Sequence, residues 1–139
     1  MKKTNILFIC KYNRFRSRIA ETYFKKINKN KNVQVKSAGL IKGSSVGGEG
    51  AEIAKKKCGL NIYGRTNGLI SKVLAWQNIT VVVADDVPLQ VFNRNKKYGK
   101  KVISWKIKDV DTKNGRTPEK VIEEIIKKVN DFVKELERR

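Results

Sequence analysis

The chain has 139 residues, 40% of them hydrophobic, and a formal net charge of +19. This length fits one domain spanning residues 1–139 with a core large enough to fold unaided, and the apolar content excludes disorder throughout. Two cysteines and no histidine exclude a disulfide framework and a zinc site of the usual kind.

The first half of the chain predicts two strands, one helix and a loop. A short apolar run over residues 5–9 is typical of a buried strand. Apolar residues then take helical spacing over residues 17–27. A short strand follows at residues 33–36 and is ended by Ser37-Ala38-Gly39, and the glycine-rich and serine-rich residues 40–48 predict a loop.

The second half continues the alternation. Helices are predicted at residues 49–58, 69–76 and 88–93, strands at 79–84 and 101–104, and a last helix from Thr117 onward. Gly59 is typical of the position just past a helix, while Thr117-Pro118-Glu119 supplies a capping hydroxyl, a first-position proline and an early acid. Strands that alternate with helices predict an α/β fold of three α/β/α layers, with a parallel sheet between helices.

The N-terminal residues predict a strand rather than a targeting segment. The apolar run at residues 6–10 is shorter than the roughly 7–15 residues of a signal peptide, and no run approaches a membrane span. We therefore expect a cytoplasmic protein with no membrane partner, whose two cysteines are free thiols.

Most of the positive charge lies in residues 1–84, which hold 17 Lys and Arg side chains against three acidic ones. Such a field attracts phosphate-bearing partners and speeds their encounter, but it does not specify the partner. Two interpretations stay open here: non-specific binding of nucleic acid through the basic surface, or a solvated surface rich in Lys and Asn.

The connection between the first strand and the first helix carries the chemistry. A short loop entering a helix can point backbone N–H groups at a phosphate, and the same donors stabilise a thiolate at Cys10. Arg16 can fork onto two phosphate oxygens, Ser17 can donate its hydroxyl to the sulfur, and Asn13 suits a left-handed turn. The alternative is a buried cysteine at a strand end beside a basic turn.

The position of Cys10 agrees with this chemistry, because ligands bind beyond the carboxyl ends of parallel strands. The predicted phosphate site comprises Lys11, Tyr12, Asn13, Arg14, Phe15, Arg16 and Ser17.

The sequence around this loop resembles that of the low-molecular-weight protein tyrosine phosphatase family. The segment ILFICKYNRFRSRIAE resembles the family signature, in which strand, Cys, Asn, Arg, Ser and Ala-Glu recur at these offsets. Further similarities lie in Ser37-Ala38-Gly39, in GGEGAEIAKKKCGLNI, in ITVVVADD and in the stretch from Trp105 to Asp109. The resemblance covers essentially the whole chain in order.

The resemblance implies one phosphatase-like domain with a four-stranded parallel sheet, and a two-step mechanism without metal or cofactor. In it Cys10 attacks phosphorus to give a phosphocysteine, while Arg16 and the loop amides carry the transition-state charge. An aspartate protonates the leaving oxygen and then activates water. Asp109 matches this acid by its spacing from Trp105, with Asp111 as the alternative. Ser37 is expected to support Asn13, as in the family.

The sequence departs from the family pattern around the loop. Val110 replaces the proline after the acid, Phe15 replaces a cysteine, and Arg18 replaces a proline. With Lys11 and Arg14, Arg18 is expected to make the rim basic.

The family's aromatic pocket walls are also missing from residues 40–48 and directly after Asp109. We therefore expect either another phosphate ester as substrate, or Tyr12 and Trp105 as substitute walls. The substrate would be a phosphorylated protein or a small phosphate ester.

Two other functions compete with the phosphatase. One is a phosphate-binding or nucleic-acid-binding module with weak turnover, favoured by the basic rim and the altered acid motif. The other is an arsenate reductase, disfavoured because VADDVPLQVFNRNKK lacks the extra cysteines used after the third strand. Cys58 shares a helix side with Ala51 and Ala54 and is expected to be structural.

Overall fold

Eight principal helices and strands make up the described part of the chain. The computed structural model describes residues 3–93, 95 and 100–138. In chain order these elements are β1 (Thr4–Cys10), α1 (Arg16–Ile27), β2 (Val33–Gly39), α2 (Glu49–Cys58), α3 (Ser71–Trp76), β3 (Ile79–Ala84), β4 (Lys101–Ile107) and α4 (Pro118–Glu137). Short 3-10 helices lie at Leu89–Phe92 and Thr112–Asn114.

All four strands form one parallel sheet in the order β2-β1-β3-β4. Successive side chains of a strand point to opposite faces, so the buried residues 6–10 of β1 contribute to two cores. Ile6 and Phe8 pack with α1, α2 and α4 on one face, whereas Leu7 and Ile9 pack with α3 on the other. The expected α/β fold with a four-stranded parallel sheet between helices is confirmed.

Local sequence explains where the best-defined helices begin and end. Thr117 caps α4, accepting a hydrogen bond from the Lys120 amide at 3.3 Å, and Pro118 opens its first turn. Gly59 ends α2 in the left-handed conformation, at φ 65°. Both termini lie where their residue types predict.

The strand predicted at residues 79–84 has the bounds of β3, but the other three predicted strands end too early, because backbone pairing continues past the apolar runs. In β2, Ser37 to Gly39 pair with Phe8 to Cys10 of β1. In β4, a bulge with Lys106 at φ 54° carries the strand on until Ile107 pairs with Ala84. Such bulges re-aim a strand end, and this one brings the Ile107 carbonyl to the site described below.

Two predicted helices are also shorter than expected. The third begins at Ser71 instead of Leu69, because the Leu69 amide bonds to the Gly39 carbonyl at 2.9 Å. The segment predicted as a helix at residues 88–93 is a single 3-10 turn over Leu89–Phe92. Among the helices of the described residues, none is both long enough and apolar enough to cross a bilayer.

Candidate active site

The candidate site lies at the carboxyl edge of the sheet, where the connections after β1, β3 and β4 meet. Cys10 is the last residue of β1 and Arg16 the first of α1, so five residues form the loop between them. Asn13 sits inside the loop at φ 56°, and the left-handed turn expected there is confirmed.

Buried side-chain hydrogen bonds hold the loop in shape. The Asn13 amide nitrogen donates to the hydroxyls of Ser17 at 2.8 Å and Ser37 at 2.9 Å. Ser17 Oγ lies 3.0 Å from Cys10 Sγ. Because Ser17 already accepts from Asn13, its own proton is free to be donated to the sulfur, which favours a thiolate there.

Sequence reasoning missed two members of this network, Glu21 and Asn67. Ser37 donates its hydroxyl proton to Glu21 Oε1 at 2.5 Å, and the Asn67 amide donates to Asn13 Oδ1 at 2.8 Å. Glu21 lies one helical turn after Ser17, a spacing that could have indicated it. Asn67 carries no comparable signal, because only the fold brings it to the loop.

Arg16 lies at the junction of three connections, with its side chain only 4% exposed. Nη1 donates to the carbonyl of Ile107 at 2.9 Å, and Nη2 contacts both carboxylate oxygens of Asp86 at 3.0 and 3.1 Å. Asp85 lies 3.5 Å away and Asp109 3.9 Å away. An anion in the loop would share this guanidinium with Asp86 or displace its carboxylate.

The acidic pair after β3 was noted in the sequence only as a resemblance, and its contact with Arg16 was not foreseen. A buried arginine with a carboxylate partner is held in one orientation. The pair therefore restrains the cation before any ligand arrives.

A cleft of about 250 Å3 opens above the loop. Its lining residues are Cys10, Tyr12, Arg14, Phe15, Arg16, Gly47, Glu49, Gly50, Ala51, Asp109, Val110 and Pro118. A larger groove of about 800 Å3 lies at the opposite, amino end of the strands and contains none of the predicted site residues. The smaller cleft is the relevant one, because it brings thiol, guanidinium and carboxyl together.

The structure separates the two candidate acids. Asp109 lines the cleft with Cys10, is 62% exposed, and accepts one hydrogen bond from the Val110 amide at 2.8 Å. Asp111 lies outside this cleft, and its carboxylate accepts from the Asn114 side chain at 2.6 Å within a turn. Asp109 is therefore placed to exchange a proton with a ligand, whereas Asp111 braces the chain.

The expectation that Trp105 substitutes for a pocket wall is wrong. Its partly buried ring packs against the core, with ring centroids 5.7 Å from Phe8 and 6.1 Å from Phe132, because its position in β4 directs it toward α4. Tyr12 does line the cleft, 43% exposed, with Lys11 Nζ 5.3 Å from its ring centroid.

The basic rim is smaller than expected, because Arg18 is used internally. Its guanidinium donates to the carbonyls of Ile62 at 2.7 Å and Arg65 at 2.8 Å, which ties the segment before Asn67 to α1. Arg14 remains at the cleft and donates to the Ser45 carbonyl at 3.3 Å. Phe15 lines a cleft wall, packed closely against Gly50.

The remaining chemistry-bearing groups lie apart from this site. Cys58 is a free thiol packed against the core from α2, as expected. Within residues 3–93, 95 and 100–138, no group of three or more thiol or carboxylate side chains is arranged to hold a metal ion.

Comparison with protein families gives one match that spans nearly the whole chain. The model of the low molecular weight phosphotyrosine protein phosphatase family matches residues 5–139. No curated protein sequence matches the chain.

Solved structures with the same fold include both phosphatases and reductases. A low molecular weight protein tyrosine phosphatase from T. tengcongensis has 23% identity and a TM-score of 0.78, covering 96% of this chain and 99% of its own. The YwlE arginine phosphatase from Geobacillus stearothermophilus has 20% identity and a TM-score of 0.76, with coverages of 97% and 94%. At these identities the two phosphatases establish similarity of fold alone.

A thioredoxin-dependent arsenate reductase from Corynebacterium glutamicum has 25% identity and a TM-score of 0.72. The match covers 98% of this chain but only 63% of the reductase. The same fold thus supports two chemistries, and the site residues must discriminate between them.

Proposed function

The chain belongs to the low molecular weight phosphotyrosine protein phosphatase family, and on that premise we propose that it hydrolyses phosphate monoesters through a phosphocysteine intermediate. One observation carries the proposal: Cys10, Arg16 and Asp109 line the same cleft. Nucleophile, anion-binding cation and proton donor are the three groups that this chemistry requires.

In the first step the Cys10 thiolate attacks phosphorus, forming a P–S bond as the ester P–O bond breaks. Asp109 transfers its proton to the leaving oxygen, and Ser17 stabilises the thiolate through its hydroxyl at 3.0 Å. Arg16 stabilises the charge on the phosphoryl oxygens.

In the second step the Asp109 carboxylate takes a proton from water, which attacks the phosphocysteine. The P–S bond breaks, inorganic phosphate leaves, and the Cys10 thiolate is regenerated. Atoms and charge therefore balance without an additional reactant.

The proposed substrates are phosphorylated proteins or small phosphate esters, encountered in the cytoplasm. Free thiols at Cys10 and Cys58 suit a reducing compartment. Tyr12 and Phe15 are the aromatic side chains of the cleft, so aromatic phosphates have little wall area on which to pack. We therefore propose that aliphatic phosphate esters are also accepted, and turnover restricted to phosphotyrosine peptides would contradict this.

The decisive experiment measures hydrolysis of an activated aryl phosphate by wild type, Cys10→Ser and Cys58→Ser in the presence of a chelator. We expect Cys10→Ser to abolish turnover, and the matched Cys58→Ser variant to retain it because that thiol lies on α2. Trapping of labelled phosphate on the wild type alone would identify the phosphocysteine. Folded but inactive wild type would refute the phosphatase.

A binding module is the second candidate function, and the net charge of +19 favours it. In that case the loop would hold phosphate groups of nucleic acid while Arg16 stays paired with Asp86. Affinity for nucleic acid that falls steeply with salt, in a protein without turnover, would support this candidate.

Arsenate reduction is a third candidate, raised by the 25% identity to the corynebacterial enzyme. The sequence holds only Cys10 and Cys58, so any second thiol close to the site would have to come from a partner. Arsenate-dependent oxidation of an added thiol reductant would support it.

A further inference from the structure

The Arg116 side chain forms hydrogen bonds with the main chain on both sides of the Asp109 Cα atom. Its Nη2 and Nε donate to the Lys108 carbonyl at 2.8 and 3.1 Å, and Nε also reaches the Asp109 carbonyl at 3.2 Å. Two consecutive carbonyls are thus held by one planar guanidinium. Such a contact restrains both peptide planes around the Cα atom of the acid.

The same guanidinium is anchored to α4 on its other side. Nη1 and Nη2 contact the two carboxylate oxygens of Glu124 at 3.2 and 3.0 Å, a bidentate pair. This hydrogen-bonded pair raises the pKa of Arg116 and lowers the pKa of Glu124, so both groups stay charged over a wide pH range. With its side chain 20% exposed, Arg116 is also partly shielded from water.

Asp109 has no comparable support of its own. Its carboxylate hydrogen bonds to the adjacent Val110 amide, and its distance to Arg16 is 3.9 Å. The backbone pairing of Asp111 with Arg116, at 2.8 and 2.9 Å, closes the segment on the same arginine. The position of the Asp109 carboxyl in the cleft therefore follows from its main chain, which Arg116 restrains through the Lys108 and Asp109 carbonyls.

On the basis of the proposed function, we propose that Arg116 and Glu124 are positioning residues that hold the Asp109 carboxyl in reach of the leaving oxygen. Neither side chain lines the cleft with Cys10, so their action runs through the acid. A displacement of the acid slows only the step that needs its proton.

Leaving-group dependence separates this role from plain structural support. A good leaving group departs without protonation, whereas phenyl phosphate requires it. We expect Arg116→Ala to lower kcat/KM at least about tenfold for phenyl phosphate, but less than about threefold for an activated aryl phosphate. Glu124→Gln should show the same pattern to a smaller degree, and it keeps the test valid should Arg116→Ala fail to fold.

A matched control removes another ion pair to the same helix. Lys57 Nζ contacts Glu119 in the first turn of α4 at 3.0 Å, and no hydrogen bond or ion pair among the described residues joins it to the segment from Lys108 to Asp111. Lys57→Ala should leave the ratio of the two substrates unchanged. Equal losses for both substrates in Arg116→Ala and Glu124→Gln would overturn the proposal.

A double-mutant cycle tests whether Arg116 acts through the acid. In an Asp109→Asn background, Arg116→Ala should cost less than about twofold further with phenyl phosphate, because no acid remains to be positioned. If the two substitutions instead lower the rate by the product of their separate effects, the positioning role of Arg116 is overturned, but the proposed phosphatase activity is not. Inactive wild type would overturn both, since no acid step would then exist.

Discussion

The loop from Cys10 to Ser17 and the segment from Lys108 to Arg116 both form the cleft, but they are built in opposite ways. Buried side chains hold the loop, with Asn13 bonded to Ser17 and Ser37 at 2.8 and 2.9 Å. The acid segment is held through its backbone by Arg116, the arginine at its own end, and Asp109 is 62% exposed. The first arrangement depends on side chains of the loop and of β2, whereas the second depends on the pairing of Arg116 with Glu124 of α4.

This difference predicts which property, stability or catalysis, a substitution in each region affects. Changes within the loop should affect both stability and catalysis, since its polar atoms are buried and paired. Changes within the acid segment should affect mainly protonation of the leaving group, because little there is buried.

Replacing the acid should have the largest effect. We expect Asp109→Asn to lower kcat for phenyl phosphate by about 10²–10⁴, because no proton donor remains for the leaving oxygen. Asp111→Asn, the matched change two residues on, should alter kcat less than about threefold because its carboxylate braces a turn. Steady-state kinetics of both variants would decide, and a larger loss in Asp111→Asn would reverse the assignment.

Arg16→Lys should lower kcat by about 10²–10³, because an ammonium cannot form the forked contact with phosphoryl oxygens. Arg14→Lys is the control within the same loop, since its guanidinium contacts the Ser45 carbonyl at 3.3 Å. We expect the control to retain wild-type kcat within about threefold. Because both substitutions keep the positive charge, comparable losses in both variants would mean that the forked contact with phosphoryl oxygens is not specific to Arg16.

Asn13→Ala should destabilise the protein by about 1–3 kcal/mol through the lost buried hydrogen bonds. Asn13→Gly loses the same bonds but tolerates the left-handed φ of 56°, so it should be about 1–2 kcal/mol more stable than the alanine variant. Urea denaturation measures both differences. Equal stabilities of the two variants would show that backbone conformation contributes nothing at this position.

The smallest effect concerns pH. Arg116 lowers the pKa of Glu124 below its ordinary value of 4.5, so the pair stabilises the fold above pH 4.5 and this contribution is lost as pH falls through the lowered pKa. Glu124 is half exposed, so we expect about 0.2–1 kcal/mol, weakened by salt. The difference in unfolding free energy between wild type and Glu124→Gln should vanish in acid, and a difference that persists there would have another origin.

Much of the fold and part of the site follow from sequence because they are local. The alternation of apolar runs and helical spacing predicted the α/β layers, and Thr117 and Gly59 marked helix ends through their own conformational preferences. The bounds of β3 followed from its apolar run, but the length of β2 did not, because Ser37 to Gly39 extend that strand only through pairing with β1.

The local part of the loop could be read from the sequence: Cys10 lies at a strand end, Asn13 where a left-handed turn is needed, and Ser17 in the first turn of a helix. Ser17 contacts both Cys10 and Asn13, so their spacing in the chain carries this part of the geometry. The contacts of Asn13 with Ser37 and Asn67 depend on the fold. The tertiary structure was needed to show that Asp109 lines the cleft with Cys10, that Asp111 lies outside that cleft, and that Trp105 packs against the core. Those outcomes depend on contacts between strands and helices far apart in sequence, where residue type alone does not specify which surfaces meet.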